Sequence, residues 1–249
     1  MKVTLLGTGD ATGTPKAGCT CEICQYALSH GVERLRTSLL IEHNNQYVLI
    51  DSGPDLRQQM IHIHQSLGFL PKINAVLWTH GHFDHFMGFG EFYRIQKIPH
   101  VYSTPDVMKY CRSVFSFLLP EKKCHYINAY EPLELIGLSW TFVTVTHPPV
   151  PTCGIIISDP DASWRMGYTS DTNRDIPKRT YELLMNVDLL FIDGIFPNAV
   201  AKVEKHLNYE EALEFAQELG ARSYYIVHMS HHLPFDAPHS GHDGDIFEL

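Results

Sequence analysis

Ala75-Val-Leu-Trp-Thr-His80-Gly-His82-Phe-Asp84-His85 is the stretch that decides how this 249-residue chain is read. Its first five residues are an apolar run of strand type, and four potential metal ligands follow within six residues. At a strand end, side chains two apart leave the backbone on the same side, so His80 and His82 can reach one ion. The chain then turns into a helix, and Asp84 and His85 emerge on its first turn, displaced enough to serve a neighbouring ion. Neutral imidazoles and a carboxylate suit Zn, Mn, Fe or Ni, which leaves the metal open. Any one of these histidines would read as a solvated loop residue. Together in the pattern H-x-H-x-D-H they read as a metal site.

Six residues do not close two sites, so more ligands are expected at the ends of later apolar strands. Three candidates stand there: His147 after Trp140–Thr146, Asp171 after Met166–Ser170, and His228 after Tyr224–Val227. Strands are predicted at Lys2–Gly7, Ser38–Glu42, Tyr47–Asp51, Ala75–Thr79, Thr141–Thr146, Gly154–Ser158, Met166–Thr169, Leu189–Asp193 and Tyr224–His228. His43–Gln46 reads as a hairpin turn. Helical periodicity marks Asp55–Leu67, Asp84–Gln96, Pro105–Leu118, Pro177–Met185 and Tyr209–Leu219, the last with Asn208 as N-cap and Gly220 as its stop. Two β-rich layers covered outside by helices would bury such a set. One domain over residues 1–249 is expected.

The net charge of −9 argues against a protein that coats extended nucleic acid, yet leaves room for a small anionic substrate beside bound cations. The opening MKVTLLG is too short for a leader's apolar core and reads as a first strand. No apolar run approaches a membrane span, so a soluble, cytoplasmic protein is expected. Of the six cysteines, Cys19, Cys21 and Cys24 are bunched, which in a cytosolic chain points to metal. Cys111, Cys124 and Cys153 read as inert core residues.

The pattern His80-x-His82-x-Asp84-His85 with His147, Asp171 and His228 resembles the metallo-β-lactamase superfamily over essentially the whole chain. The resemblance implies an αββα sandwich, with two mixed β-sheets flanked by helices and two divalent ions, Zn or Mn, at the sheet edge. It carries His80, His82 and His147 to one ion, Asp84, His85 and His228 to the second, and Asp171 to the bridge. It makes Asp51 an orienting residue behind the ligands. Leu6-Gly7-Thr8-Gly9 and the run Gly18-Cys19-Thr-Cys21-Glu-Ile-Cys24 are similar to the phosphoribosyl cyclic phosphodiesterase subgroup. That similarity implies a structural zinc at about residues 18–25, held by Cys19, Cys21, Cys24 and His231; Cys₃His is a closed tetrahedral set with no open position. It also places His206 as a non-ligand histidine facing a substrate phosphate.

The function implied is hydrolysis of a small (cyclic) phosphodiester, such as a ribose cyclic phosphate or a cyclic nucleotide, by water activated between two metals, with Asp84, Asp171 and His206 as catalytic groups. Homodimers are common among such relatives. Two alternatives stand beside it. A tRNA 3′-processing endonuclease is disfavoured because Pro15-Lys16 runs into Ala17-Gly18-Cys19, with no arm-sized insertion. A non-catalytic accessory protein is disfavoured because every expected ligand is present. Two departures from the subgroup bear on substrate: the segment from His232 to His242, and Asp193-Gly-Ile-Phe-Pro197, which lacks a histidine expected there.

Overall fold

A computed structural model describes residues 1–161 and 163–249. Among them, thirteen strands form two sheets. The first comprises β1 (Lys2–Gly7), β2 (Ser38–His43), β3 (Gln46–Ile50), β4 (Ile73–Leu77), β5 (His100–Ser103), β6 (Cys124–Tyr126) and β13 (Ile246–Glu248), in the order β13-β1-β2-β3-β4-β5-β6. The second comprises β7 (Pro132–Leu135), β8 (Leu138–Val145), β9 (Thr152–Ser158), β10 (Arg165–Tyr168), β11 (Leu189–Asp193) and β12 (Ser223–Val227), in the order β12-β11-β10-β9-β8-β7.

Period-two packing builds the layers. Leu39 and Ile41, Val48 and Ile50, and Ala75 and Leu77 face the second sheet, where they meet Leu138, Trp140, Phe142, Ile155 and Phe191. Their alternates Leu40, Leu49, Val76 and Trp78 face outward under α2 (Leu56–Leu67) and α5 (Pro105–Val114). On the far side, Val143, Leu190, Ile192 and Ile226 pack beneath α6 (Lys178–Leu184) and α7 (Tyr209–Glu218). Central strands buried on both faces explain why the sequence shows continuous apolar runs there rather than alternation. The result is two mixed sheets flanked by helices, the sandwich expected from the sequence.

Several local expectations hold. Asn44 and Asn45, with φ of 51° and 57°, close β2 onto β3 in a two-residue turn. Asn208 caps α7 in a capping box with Glu211, and Gly220 follows with φ of 66°.

Others need correction. The helix expected over Asp84–Gln96 is broken into α3 (Phe83–Phe86), a 3₁₀ turn (Met87–Glu91) and α4 (Phe92–Ile95). The His85 carbonyl accepts from Ser52 N at 2.7 Å and Gly88 N donates to Ser52 O at 2.9 Å, so the β3 loop takes bonds that a continuous helix would use. α5 stops at Val114, four residues early. The cysteine stretch, read as a loop, enters α1 (Glu22–His30), whose N-cap Cys21 accepts from Cys24 N. β5, β6, β7 and β13 were not expected; they are three or four residues long, too short for periodicity to register.

Candidate metal centre

β8 and β10 each pair antiparallel with β9, so they run together, and β10, β11 and β12 are parallel. β3 and β4 are parallel in the other sheet. The carboxyl ends of these strands therefore converge on one edge of the sandwich, each followed by a polar residue: Asp51, His80, His147, Asp171 and His228, with Asp193 closing β11. Three of the turns at this edge use left-handed backbone at residues that are not glycine, with φ of 59° at Asp51, 55° at Ser170 and 59° at His228. Such conformations cost about 1–2 kcal/mol each and gather where a site needs a side chain aimed against local preference.

Two donor groups result. His80, His82, His147 and Asp171 bring ligand atoms within 4.8 Å of one another, as do Asp84, His85 and His228. Asp171 lies between them, with Oδ2 at 3.5 Å from His80 Nε2 and 3.4 Å from His228 Nε2, and Oδ1 at 3.3 Å from His85 Nε2. Asp84 Oδ2 is 3.4 Å from both His85 Nε2 and His228 Nε2. Two N or O donors at tetrahedral angles on one divalent ion lie about 3.3 Å apart, which these spacings approach. His85 Nε2 and Asp171 Oδ1 are buried and have no hydrogen-bond partner among the described residues, so the donors face a common centre. Imidazole with carboxylate is the donor chemistry of Zn, Mn and Fe sites. The residues present fit a divalent pair.

The electrostatics divide the donors. Burial opposes charge on His85 and His228, but the Asp171 carboxylate and its acidic neighbours outweigh it and hold both imidazoles well above their usual range, as gathered negative charge does. Burial holds His80 and His82 below the usual imidazole range, and pushes His147 down to about 4, which keeps all three neutral as ligands require. Burial opposes ionisation of Asp171 and Asp84, but the neighbouring imidazoles of His85 and His228 outweigh it, and both carboxyls stay well below their ordinary range. Ionised carboxylates packed this deeply call for cationic partners.

A surrounding set of bonds orients the ligands. Asp51, fully buried, accepts from Thr79 N and Thr79 Oγ1 and meets His85 Nδ1 at 2.7 Å, which fixes the orientation of that ring. The Lys205 carbonyl meets His147 Nδ1 at 2.9 Å. His206, which the resemblance makes a non-ligand histidine facing a substrate phosphate, is only 7% exposed and stacks on His228 with ring centroids 5.1 Å apart. Its Nδ1 meets Asp193 Oδ2 at 2.8 Å, while Asp193 Oδ1 stands 3.5 Å from His228 Nδ1. Asp193 is the site residue that sequence reasoning missed. Its signal was the one that found Asp171: a carboxylate ending the apolar run Leu189-Leu-Phe-Ile. His239 and His242 lie away from this centre, His239 stacked on Tyr224 and His242 bonded to the Phe235 carbonyl.

The second cluster is separate. Cys19, Cys21, Cys24 and His231 also bring their ligand atoms within 4.8 Å of one another. His231 Nδ1 is 3.6 Å from Cys19 Sγ and 3.5 Å from Cys21 Sγ, against about 3.6 Å for S and N donors on one tetrahedral zinc. Backbone N–H groups of Cys21, Cys24 and Lys16 donate to the three sulfurs, an arrangement that stabilises thiolates. Cys111 and Cys153 are buried in the core, and Cys124 is half-buried beside it.

Fold and site together define a two-sheet hydrolase fold with a buried His/Asp divalent-metal centre at the sheet edge. A β-lactamase superfamily domain model matches residues 46–229, and the chain belongs to the metallo-β-lactamase superfamily. Within it the chain is similar to a diphosphatase of the PhnP family, at 27% identity and a TM-score of 0.85 over 100% of this chain and 97% of that one. It also shares its fold with zinc-bound PqqB of Methylobacterium extorquens, at 22% identity and a TM-score of 0.83 over 100% of both chains. An octanoyltransferase of Porphyromonas gingivalis is 29% identical over 98% of this chain but 51% of its own length, so the chain spans about half of that relative. No described helix is long and apolar enough to cross a membrane.

Proposed function

We propose that this protein hydrolyses a small phosphodiester at a dinuclear centre formed by His80, His82, His147, Asp84, His85 and His228 around Asp171. The observation that carries the reading is Asp171 itself, whose two oxygens stand between two complete donor groups. The PhnP-family neighbour, named as a diphosphatase, supports phosphoryl chemistry. All the expected donors are present, which favours turnover over an accessory role.

When bound, a divalent pair supplies positive charge that polarises phosphoryl oxygens and acidifies water. Either Asp84 or Asp171 orients the attacking water and accepts its proton. As the water oxygen bonds to phosphorus, the ester P–O bond opposite breaks. His206, its Nδ1 held by Asp193, delivers a proton from Nε2 to the departing oxygen. A phosphomonoester and an alcohol leave. Zinc or manganese fills the centre in this reading, and zinc the Cys₃His set, where it ties the N-terminal loop to the loop after β12.

A panel of cyclic and acyclic phosphodiesters, phosphomonoesters and lactones, assayed with added zinc or manganese, tests the reading. Turnover confined to phosphodiesters and abolished by chelation is expected. Lactone hydrolysis without phosphodiester hydrolysis would contradict it.

A further inference from the structure

Two clefts border the centre, one walled by His206 and one by His82, whose rings both lie near His147, and their linings differ in kind. One, of about 310 Å³, is lined by His206 together with charged residues of both signs, Arg174 and Lys202 beside Asp175, Glu204 and Glu211. The other, of about 340 Å³, is lined by His82 and by Val107, Tyr110, Pro149, Val150 and Pro151, with Asp106 its single carboxylate and no Lys or Arg in its wall. Tyr110 is 57% exposed, yet its ring lies against Gly81 between the ligands His80 and His82. A Cβ on Gly81 would stand 2.6 Å from Tyr110 Cδ1, so the glycine lets the ring approach the metal motif. A large aromatic face held in water at the mouth of a reactive centre is the kind of exposed apolar surface that marks a ligand contact.

We propose that this apolar slot receives the non-leaving ester arm of the substrate, and that the arm is an uncharged aryl or short alkyl group. The inference rests on the phosphodiesterase reading and names its substrate class. With His206 at the leaving oxygen and the attacking water opposite it, the second arm on phosphorus lies off the line of attack, and the cleft walled by His82 and Tyr110 is the one we assign to it. The slot holds a phenyl ring or a short chain. A second phosphate or a carboxylate in the arm would meet Asp106, with no Lys or Arg in the slot's wall to offset it. Tyr110 is thus a specificity residue: it ranks substrates by what the phosphorus carries besides the leaving group.

Calorimetric titration of the metal-loaded protein with phenylphosphonate, methylphosphonate and 3-phosphonopropionate tests this without turnover. Phenylphosphonate is expected to bind at least about tenfold more tightly than methylphosphonate, with 3-phosphonopropionate weakest. Tyr110→Ala and Val150→Asp should bring the phenyl-to-methyl ratio towards one, and Tyr110→Phe should keep it. p-Nitrophenyl phosphodiesters with phenyl, hexyl or methyl as second ester should show the same ranking in kcat/KM, carried by KM. Equal binding of the phenyl and methyl ligands, a preference for 3-phosphonopropionate, or a ratio unmoved in both Tyr110→Ala and Val150→Asp would overturn the slot. A phenyl preference without hydrolysis of any diester would instead contradict the phosphodiesterase reading and leave the slot standing.

Discussion

Asp193 shows how one side chain sets the chemistry of two others. It holds Nδ1 of His206 at 2.8 Å and faces Nδ1 of His228 at 3.5 Å, so it orients one ring and turns the other towards Asp84 and Asp171. Asp193→Asn keeps the shape but loses the charge and allows the wrong His206 tautomer. A fall in kcat of about 100-fold is expected, with structure retained by circular dichroism. His206→Ala carries a further signature. If the ring protonates the leaving oxygen, the loss should be on the order of 10²–10⁴ for an alkyl leaving group and much smaller for p-nitrophenolate, which needs no proton. An equal loss for both would assign His206 a structural role. These side chains were unevenly legible. His80 to His85 declare themselves by proximity in sequence and His206 by the family resemblance, whereas the pairing of Asp193 with His206 exists only where β11 and the loop before α7 meet in space.

Among the elements, α3 illustrates why a periodic pattern misled. The amphipathic period over Asp84–Gln96 is real, but Gly53 of the β3 loop passes so close that a Cβ there would lie 2.0 Å from the Asp84 carbonyl. The loop's bonds to His85 and Gly88 then outcompete the helix's own. Gly53→Ala should therefore displace the turn carrying Asp84 and His85. A loss of about 1–3 kcal/mol in urea unfolding is expected, together with weaker metal retention on dialysis. At the opposite end of the site, the Cys₃His cluster joins the first turn of α1 to the loop after β12. Cys21→Ser should remove one zinc per chain by elemental analysis and lower Tm, while His80-side metal remains. The short edge strands β6, β7 and β13 were invisible in sequence because they run only three or four residues, too few for alternation to stand out even in β7, where Leu133 and Leu135 both pack on the core.

At the scale of the molecule, the sandwich was legible because its central strands are apolar on both faces and end in ligands. The joining of the chain's two ends was not. Asp243 reaches back to accept from Thr8 Oγ1 at 2.8 Å and Leu35 N at 2.6 Å, beside Glu33 and the buried Arg34. Burial pushes its carboxyl up to about 7. The native state thus holds a proton that the unfolded chain releases near pH 4, and the stability this gives is lost as pH rises from about 4 to 7. One such group contributes a slope of up to about 1.4 kcal/mol per pH unit. Asp243→Asn should remove that slope from denaturation measured across this window; an unchanged slope would refute the assignment.

The account stands on two cations sharing Asp171, and anomalous diffraction at the zinc and manganese edges from metal-soaked crystals addresses this directly. Two peaks about 3.5–4 Å apart on either side of the Asp171 carboxylate are predicted, with a third among Cys19, Cys21, Cys24 and His231. No peak within reach of His80, His85 and His228 would contradict the central claim.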